Sequence, residues 1–279
     1  MPVSVVTGAT GGIGRWIALG LARAGYTVVM VGRDRDRGNA AKAWIEARIP
    51  TAKLDLLLAD LSLVEAARLA AMMIDARYPA IDLLVNNAGT FSTRRQETAE
   101  GHERVLATNH LSAFVMTRAL IPALRTAAAE NGHARIVNIG SSTSDKARID
   151  PADLEGKHQW SMVRAYGQSK LAMMLATFEW ARQLHGTGVV ANIVHPGTVA
   201  TNLVRARGPI GVAWRIMAPF ISSEEQGADT PLHVALAPAF GTVTGAYVKR
   251  RRVVKPNRLA LKPDLAAQVW DATETLAGG

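Results

Sequence analysis

Short apolar runs, rich in β-branched residues, alternate along this chain with longer stretches of helical period. Val3–Val6, Thr27–Val31, Leu54–Leu58, Ile81–Val85, Arg135–Ile139 and Val189–Val194 read as strands, with a last one near Gly245–Val248. Between them, Ile13–Ala24, Ala40–Arg48, Leu63–Arg77, Gly101–Arg125, Met162–Leu184 and Glu224–Leu236 read as helices. Gly25 sits where a helix would close, Pro50 stops the second helix, and Ser62 is placed to cap the third. Strands that are apolar throughout, rather than alternating, belong to a parallel sheet covered on both faces. The expectation is therefore an α/β fold, a single doubly wound domain over residues 1–279, with a parallel sheet flanked by helices on both faces. In such a fold, ligands bind beyond the carboxyl ends of the strands. What each strand end carries is then the next question.

The first strand runs into Gly8-Ala9-Thr10-Gly11-Gly12-Ile13-Gly14. Glycines here let the backbone approach a pyrophosphate, and the helix N-terminus that follows faces its charge. The spacing, Gly8, Gly12 and Gly14, differs from G-x-G-x-x-G, and glycine clusters also make plain turns. The position between strand and helix favours a nucleotide site of Rossmann type. The second strand ends in Gly32-Arg33-Asp34-Arg35. An acid there would bind a ribose 2′-hydroxyl and an arginine a 2′-phosphate. Arg33 comes first and favours NADPH/NADP+ over NADH; Asp34 is the competing reading, while Arg35 and Arg37 read as solvated. Asp60-Leu61 ends the third strand, where the carboxylate suits either an adenine amino group or a helix cap.

Tyr166 and Lys170 lie four apart within a helical stretch and so share a face. A cation about 4 Å from a phenolate, at an effective dielectric near 20, is worth about 4 kcal/mol. That is enough to bring a tyrosine from about 10 toward about 7 and make it a proton donor at neutral pH. Gly140-Ser141-Ser142 follows the fifth strand and places hydroxyls at another strand end, and Asn109 lies in the long helix before it.

Taken in order, Thr7-Gly8-x3-Gly12-x-Gly14, Asp60, Asn86-Asn87-Ala88-Gly89, Asn109, Ser141, Tyr166-x3-Lys170 and Pro196-Gly197 resemble the short-chain dehydrogenase/reductase family over nearly the whole chain. Gly32-Arg33-Asp34, Thr108-Asn109-His110-Leu111 and Gln168-Ser169-Lys170-Leu171-Ala172 are most similar to its retinol-dehydrogenase-like branch. The resemblance implies that Tyr166 is the general acid for carbonyl reduction and that Lys170 binds the nicotinamide ribose and lowers the tyrosine pKa. It implies that Ser141, rather than the neighbouring Ser142, bonds the substrate oxygen, and that Asn109 holds a water leading from Lys170 to solvent. The cofactor-binding set it implies is Gly8, Thr10, Gly11, Gly12, Ile13, Gly14, Arg33, Asp60, Leu61, Asn87, Ala88, Gly89, Tyr166, Lys170, Pro196, Gly197, Thr198 and Thr201. Asn87 has a second reading as a tie between strands. Ser141 and Tyr166 are 25 positions apart, wider than usual in the family, and the insert Asp145–Ser161 is expected to edge the substrate entrance.

By the same resemblance, residues 198–222 form a substrate lid. Leu203, Val204, Trp214, Ile216, Met217 and Phe220 there either line a pocket or pack as core. The expected substrate is a small hydrophobic carbonyl compound, bulky and cyclic or aromatic. A quinone, reduced in a biosynthetic pathway beside a partner oxygenase, is the alternative. A non-catalytic NADP(H)-binding scaffold is a third reading, opposed by the presence of all four residues Asn109, Ser141, Tyr166 and Lys170. The resemblance further implies a homodimer or homotetramer, since in many relatives the helices corresponding to Gly101–Arg125 and Met162–Leu184 pair across subunits.

The chain has no cysteine, which excludes disulfides, thiolate catalysis and cysteine-bound metals. Its seven histidines are scattered without ligand spacing, so no metal is expected. The net charge is +9, and Lys249-Arg250-Arg251-Arg252 is the densest basic run. It lacks aromatic interleaving and reads as solvated surface, so no nucleic acid is expected. No apolar run approaches the ~20 residues of a membrane span, and the N-terminus does not read as a signal peptide. A cytoplasmic location without a membrane anchor is the expectation.

Overall fold

A computed structural model describes residues 1–197 and 223–278. Its eight strands are β1 (Val3–Thr7), β2 (Thr27–Gly32), β3 (Lys53–Leu58), β4 (Leu83–Asn86), β5 (Ala134–Ile139), β6 (Val189–His195), β7 (Tyr247–Lys249) and β8 (Arg252–Val254). They form one sheet in the order β3-β2-β1-β4-β5-β6-β7-β8. All neighbours are parallel except β7 and β8, which are antiparallel. Successive residues of a strand face opposite sides, and the core divides accordingly. Val5, Val29, Leu84 and Ile136 pack on one face, under helices α3 (Val64–Arg77), α5 (Ser112–Asn131) and α6 (Met162–Gln183). Val6, Met30, Val85 and Val137 pack on the other, under α1 (Gly12–Arg23), α2 (Arg35–Glu46) and α7 (Glu224–Leu236). The doubly wound reading of the sequence is thus correct. Strand order reverses at β1, which pairs with both β2 and β4, and a crevice opens there at the carboxyl ends.

Several elements differ from their expected form. Helix α2 starts at Arg35, not near Ala40, because the Asp34 carboxylate accepts from the Arg37 amide (3.0 Å) and caps it. Ser62 does not cap α3. The Glu100 carboxylate, 36 positions away, takes the first amides, Val64 and Glu65, instead. The helix expected at Gly101–Arg125 is three pieces: a short turn α4 (Arg104–Leu106) capped by Glu103, a π-helical turn over Ala107–Leu111, then α5 as far as Asn131. Strand β8 and helix α8 (Pro263–Leu276) were not expected. Helix α8 lies across α5 and α6, with Trp270 edge-on to both Phe114 (4.8 Å between centroids) and Trp180 (4.6 Å). Buried His110 meets Thr273 at 2.8 Å in the same contact. The expected lid, including Thr198, Thr201 and Leu203 to Phe220, lies outside the described residues. No helix among the described residues is long and apolar enough to cross a membrane.

Candidate active site

At the crevice, the turn between β1 and α1 needs its glycines for two different reasons. Gly8 and Gly12 adopt φ of +67° and +56°, the left-handed region that disfavours other residues. Gly14 is a matter of space, since a Cβ there would sit 2.3 Å from the Gly8 carbonyl oxygen. That close approach is fixed from β4. Asn87 Nδ2 donates to the carbonyls of Thr7 (2.9 Å) and Gly8 (3.3 Å), while Thr7 Oγ1 accepts from the amides of Asn87 and Ala88 (2.9 Å each). Asn87 therefore does act as a tie between strand ends. A second tie lies beneath it. Asn86 Nδ2 donates to Thr117 (3.0 Å) and to Asn138 (2.8 Å), and Asn138 Nδ2 donates in turn to Thr177 (2.8 Å). This buried polar ladder joins β4 and β5 to α5 and α6. Nothing in the sequence pattern distinguished it from ordinary strand residues.

The turn opens into a cavity of about 930 Å³. Thr10, Gly11, Arg33, Asp60 and Leu61 line one end, and Ser141, Tyr166, Lys170, Pro196 and Gly197 the other. Ile13, Ala88 and Gly89 lie along its floor. Arg37, exposed as expected, also borders the first end. Its guanidinium lies 3.0 Å from where a Gly11 Cβ would be. Asp34 lines the same end, but its carboxylate is engaged as the α2 cap. Asp60 accepts from the amide (3.0 Å) and hydroxyl (2.8 Å) of Ser62. Burial pushes this carboxyl up, but the Ser62 bonds and the fields of Arg33 and Arg104 outweigh burial and hold it below the usual carboxylate range. It caps this local turn, not helix α3.

At the other end, α6 carries Tyr166 and Lys170 one turn apart. The phenol lies edge-on to Phe91, 5.5 Å between centroids, and lines the cavity together with Ser141 and Ser142. Ser141 Oγ accepts from the Thr143 amide at 3.3 Å, which leaves its proton free to be given away. Lys170 is buried, with Nζ donating to the Ile139 carbonyl at 2.7 Å, and burial lowers its pKa to about 8. The expected lowering of the tyrosine by this lysine is not found. Burial holds the phenol above its usual value, opposed in part by the nearby Ser141 hydroxyl, while the ammonium is engaged at the end of β5.

Asn109 sits on the π-helical turn, fully buried. Its Oδ1 accepts from the Thr90 amide (2.6 Å), and its Nδ2 donates to the Thr90 carbonyl and to Ser169 Oγ (3.0 Å each). It fastens the loop after β4 to α6, beside Lys170. A π turn adds a residue to one coil of helix and re-aims what it carries. The insert 145–161 does not border the cavity; Met162, just after it, does. Gln168 clamps the insert instead, through the Asp150 amide and the carbonyls of Asp153 and Leu154. His195, read as one of several scattered histidines, lines the cavity at the end of β6. Its Nδ1 is buried without a partner among the described residues, and burial lowers its pKa to about 4, helped by Lys249.

Residues 2–209 match the family described as short chain dehydrogenase. The chain belongs to the short-chain dehydrogenases. It is 38% identical over 280 residues to polyprenol dehydrogenase of Mus musculus, covering 99% of this chain and 84% of that one. It is 34% identical over 276 residues to retinol dehydrogenase 12 of Mus musculus, covering 99% and 86%. These likenesses place this short-chain dehydrogenase in the retinol-dehydrogenase-like branch. Among solved structures, an uncharacterized protein from Mycobacterium paratuberculosis superposes with a TM-score of 0.80 at 30% identity, covering 100% of this chain and 94% of that one. Short-chain dehydrogenases are nicotinamide-dependent oxidoreductases, and here the turn, Asp60, Tyr166 and Lys170 all border the same cavity.

Proposed function

We propose that this short-chain dehydrogenase reduces the carbonyl of a bulky hydrophobic substrate, taking hydride from NADPH. The observation that carries the reading is one cavity with a nucleotide-shaped turn at one end and Ser141, Tyr166 and Lys170 at the other. The site's chemistry fits the cofactor. Gly12 leaves the space above the turn open, and Gly14 brings the α1 N-terminus close under it, where its amides favour a pyrophosphate. Arg33 and Arg37 supply two cations beside the place of a 2′-phosphate, and Asp34 is already engaged as a cap. That supports NADPH over NADH.

When bound, the cofactor supplies the hydride; the protein holds the substrate oxygen and provides the proton. The Ser141 hydroxyl, with a lone pair committed to Thr143, donates to the substrate oxygen and polarises the carbonyl. The Tyr166 phenol stays protonated at neutral pH because burial raises its pKa, so it enters the reaction as the acid and gives its proton to the developing alkoxide. Lys170, anchored on Ile139, holds a positive charge behind it up to pH of about 8. Phe91 and Met162 give the substrate end an apolar wall. The names of the relatives, a polyprenol and a retinol dehydrogenase, are consistent with a bulky apolar substrate for this chain too.

The test is consumption of NADPH and of NADH, followed by absorbance, against all-trans-retinal, polycyclic aromatic ketones, steroid-like ketones and quinones. Turnover with a carbonyl compound, faster with NADPH and lost in Tyr166→Phe, is the expected result. Faster turnover with NADH would overturn the cofactor assignment. Turnover kept in Tyr166→Phe would overturn the proton donor.

A further inference from the structure

Ser141 must present its proton to one point in the cavity, yet it stands at the start of a loop. Around the 3-10 turn that follows it, Ser142–Asp145, the local bonds are few: the Ser144 amide (3.1 Å) and hydroxyl (2.6 Å) donate to the Ser141 carbonyl, the Thr143 amide to Ser141 Oγ (3.3 Å) and the Ala147 amide to the Ser144 carbonyl (3.4 Å). Helix α6 packs against the turn, and further hydrogen bonds reach it from more than a hundred residues away. Tyr247, buried in β7, donates its hydroxyl to Asp145 Oδ1 (2.8 Å) and lies 3.4 Å from the Ser141 carbonyl. Lys249, two residues on along the same strand, pairs with the other Asp145 oxygen. Asn257, after β8, donates to the carbonyls of Ser144 (2.8 Å) and Ala147 (3.0 Å), and its own Oδ1 is fixed by the Leu259 amide (3.0 Å). Three side chains from one C-terminal hairpin region thus converge on one turn of four residues.

We propose that Tyr247, Lys249 and Asn257 are positioning residues for Ser141. The unexpected strand β8 and the basic run that leads into it serve to bring this brace against the catalytic end of the cavity. The inference rests on the reading of Ser141 given above. A reacting group has to be held within about 0.5 Å of its productive place, and a misplacement of about 1 Å costs up to about 100-fold in rate. A free four-residue turn does not meet that tolerance. The basic run is accordingly not uniform solvated surface: Lys249 is tied to Asp145 and Arg251 to Asp229.

The decisive variant is Tyr247→Phe in the full chain, which removes one hydroxyl and leaves Asp145 paired with Lys249. With NADPH and all-trans-retinal, kcat per folded molecule is expected to fall about tenfold, while KM for retinal and the Kd for NADPH stay within about twofold. The isotope effect with NADPH deuterated at the transferred position should rise, because hydride transfer becomes slower relative to release. Asn257→Ala should act the same way. The double variant should lose less than the product of the two, since both act through one turn. Lys249→Met is the second probe if either of these folds poorly. A lowered Tm with kcat unchanged would reduce the hairpin to a structural role and overturn the proposal, as would multiplicative losses in the double variant. If the unaltered protein consumes NADPH with no carbonyl compound, the proposed function fails, and the brace is then read by amide exchange at Thr143, Ser144 and Asp145. Faster exchange there in Tyr247→Phe supports the brace; unchanged exchange overturns it.

Discussion

The two ends of the cavity are built on opposite plans. The proposed cofactor end is made largely of backbone, local in sequence: glycines of residues 8–14 and amides at the start of α1, joined by Arg33 just after β2 and Arg37 in the first turn of α2. Its long-range fastenings are few, chiefly Asn87 to the Thr7 and Gly8 carbonyls and Thr7 Oγ1 to the Asn87 and Ala88 amides. The catalytic end is made of side chains gathered from far apart. Ser141 and Tyr166 come from β5 and α6, Asn109 from a π turn, and the supporting Tyr247 and Asn257 from beyond residue 245. A phosphate is recognised by a shape that a short segment can make alone. Directing one proton needs groups whose rotamers are fixed by neighbours, and neighbours in space are rarely neighbours in sequence.

Substitutions at the two ends should therefore fail differently. Tyr166→Phe is expected to lower kcat about 10³-fold while NADPH binding, followed by its fluorescence, stays within about twofold. A parallel loss of NADPH affinity would break the division between the ends. At the other end, Gly14→Ala puts a methyl 2.3 Å from the Gly8 carbonyl, so the turn must open. We expect about 100-fold weaker NADPH binding and a loss of stability of about 2–4 kcal/mol in urea unfolding. Arg33→Asp should shift the ratio of kcat/KM for NADPH over NADH by about tenfold, with little effect on stability, because Arg33 is exposed. Adding Arg37→Ala should extend that shift; an unchanged ratio in both variants would move the 2′-phosphate elsewhere. The smallest effect concerns pH. Lys170 is lowered to about 8, so it is charged below that pH and neutral above it. Tyr166 is raised and remains protonated across the same range. The kcat for reduction is expected to be level below pH of about 7.5 and to halve near pH 8. A profile level to pH 9.5 would mean that the charge on Lys170 is not needed.

The same contrast explains what could be read from the sequence. The sheet was legible because the interior strands are largely apolar on both faces, as in β2, where Val28 to Gly32 are all buried. The cofactor turn was legible because its geometry is written in consecutive residues. The four residues proposed as catalytic, Asn109, Ser141, Tyr166 and Lys170, were legible only as an ordered set, and their surroundings were not. The start of α2 was hidden in Arg35-Asp36-Arg37, a charged run without apolar period whose helix begins because of a cap. Ser62 lost the role of cap to Glu100, a competitor that no local pattern announces. The tyrosine pKa was misjudged because spacing alone fixes a shared face, not where a lysine points, and Lys170 points at Ile139. Helix α8 did carry a signal, Pro263 at its first turn and Leu265, Val269, Trp270 and Leu276 behind it, that a closer reading of the last twenty residues would use.

The π-helical turn at Ala107–Leu111 makes one part of this site unusually sensitive to chain length. Exchanging one side chain for another leaves the extra residue in the coil, so ordinary substitution does not remove the bulge. Deleting a single residue there would restore a regular ladder, and with it rotate everything upstream by about 100° relative to α5. Glu103, which caps the preceding turn and accepts from Trp160, would then face away from that partner, and Asn109 could no longer hold both Thr90 and Ser169 of α6. In evolutionary terms, this stretch tolerates spelling changes but is close to closed to the loss of a codon, and its length is a more durable mark of the site than most of its letters.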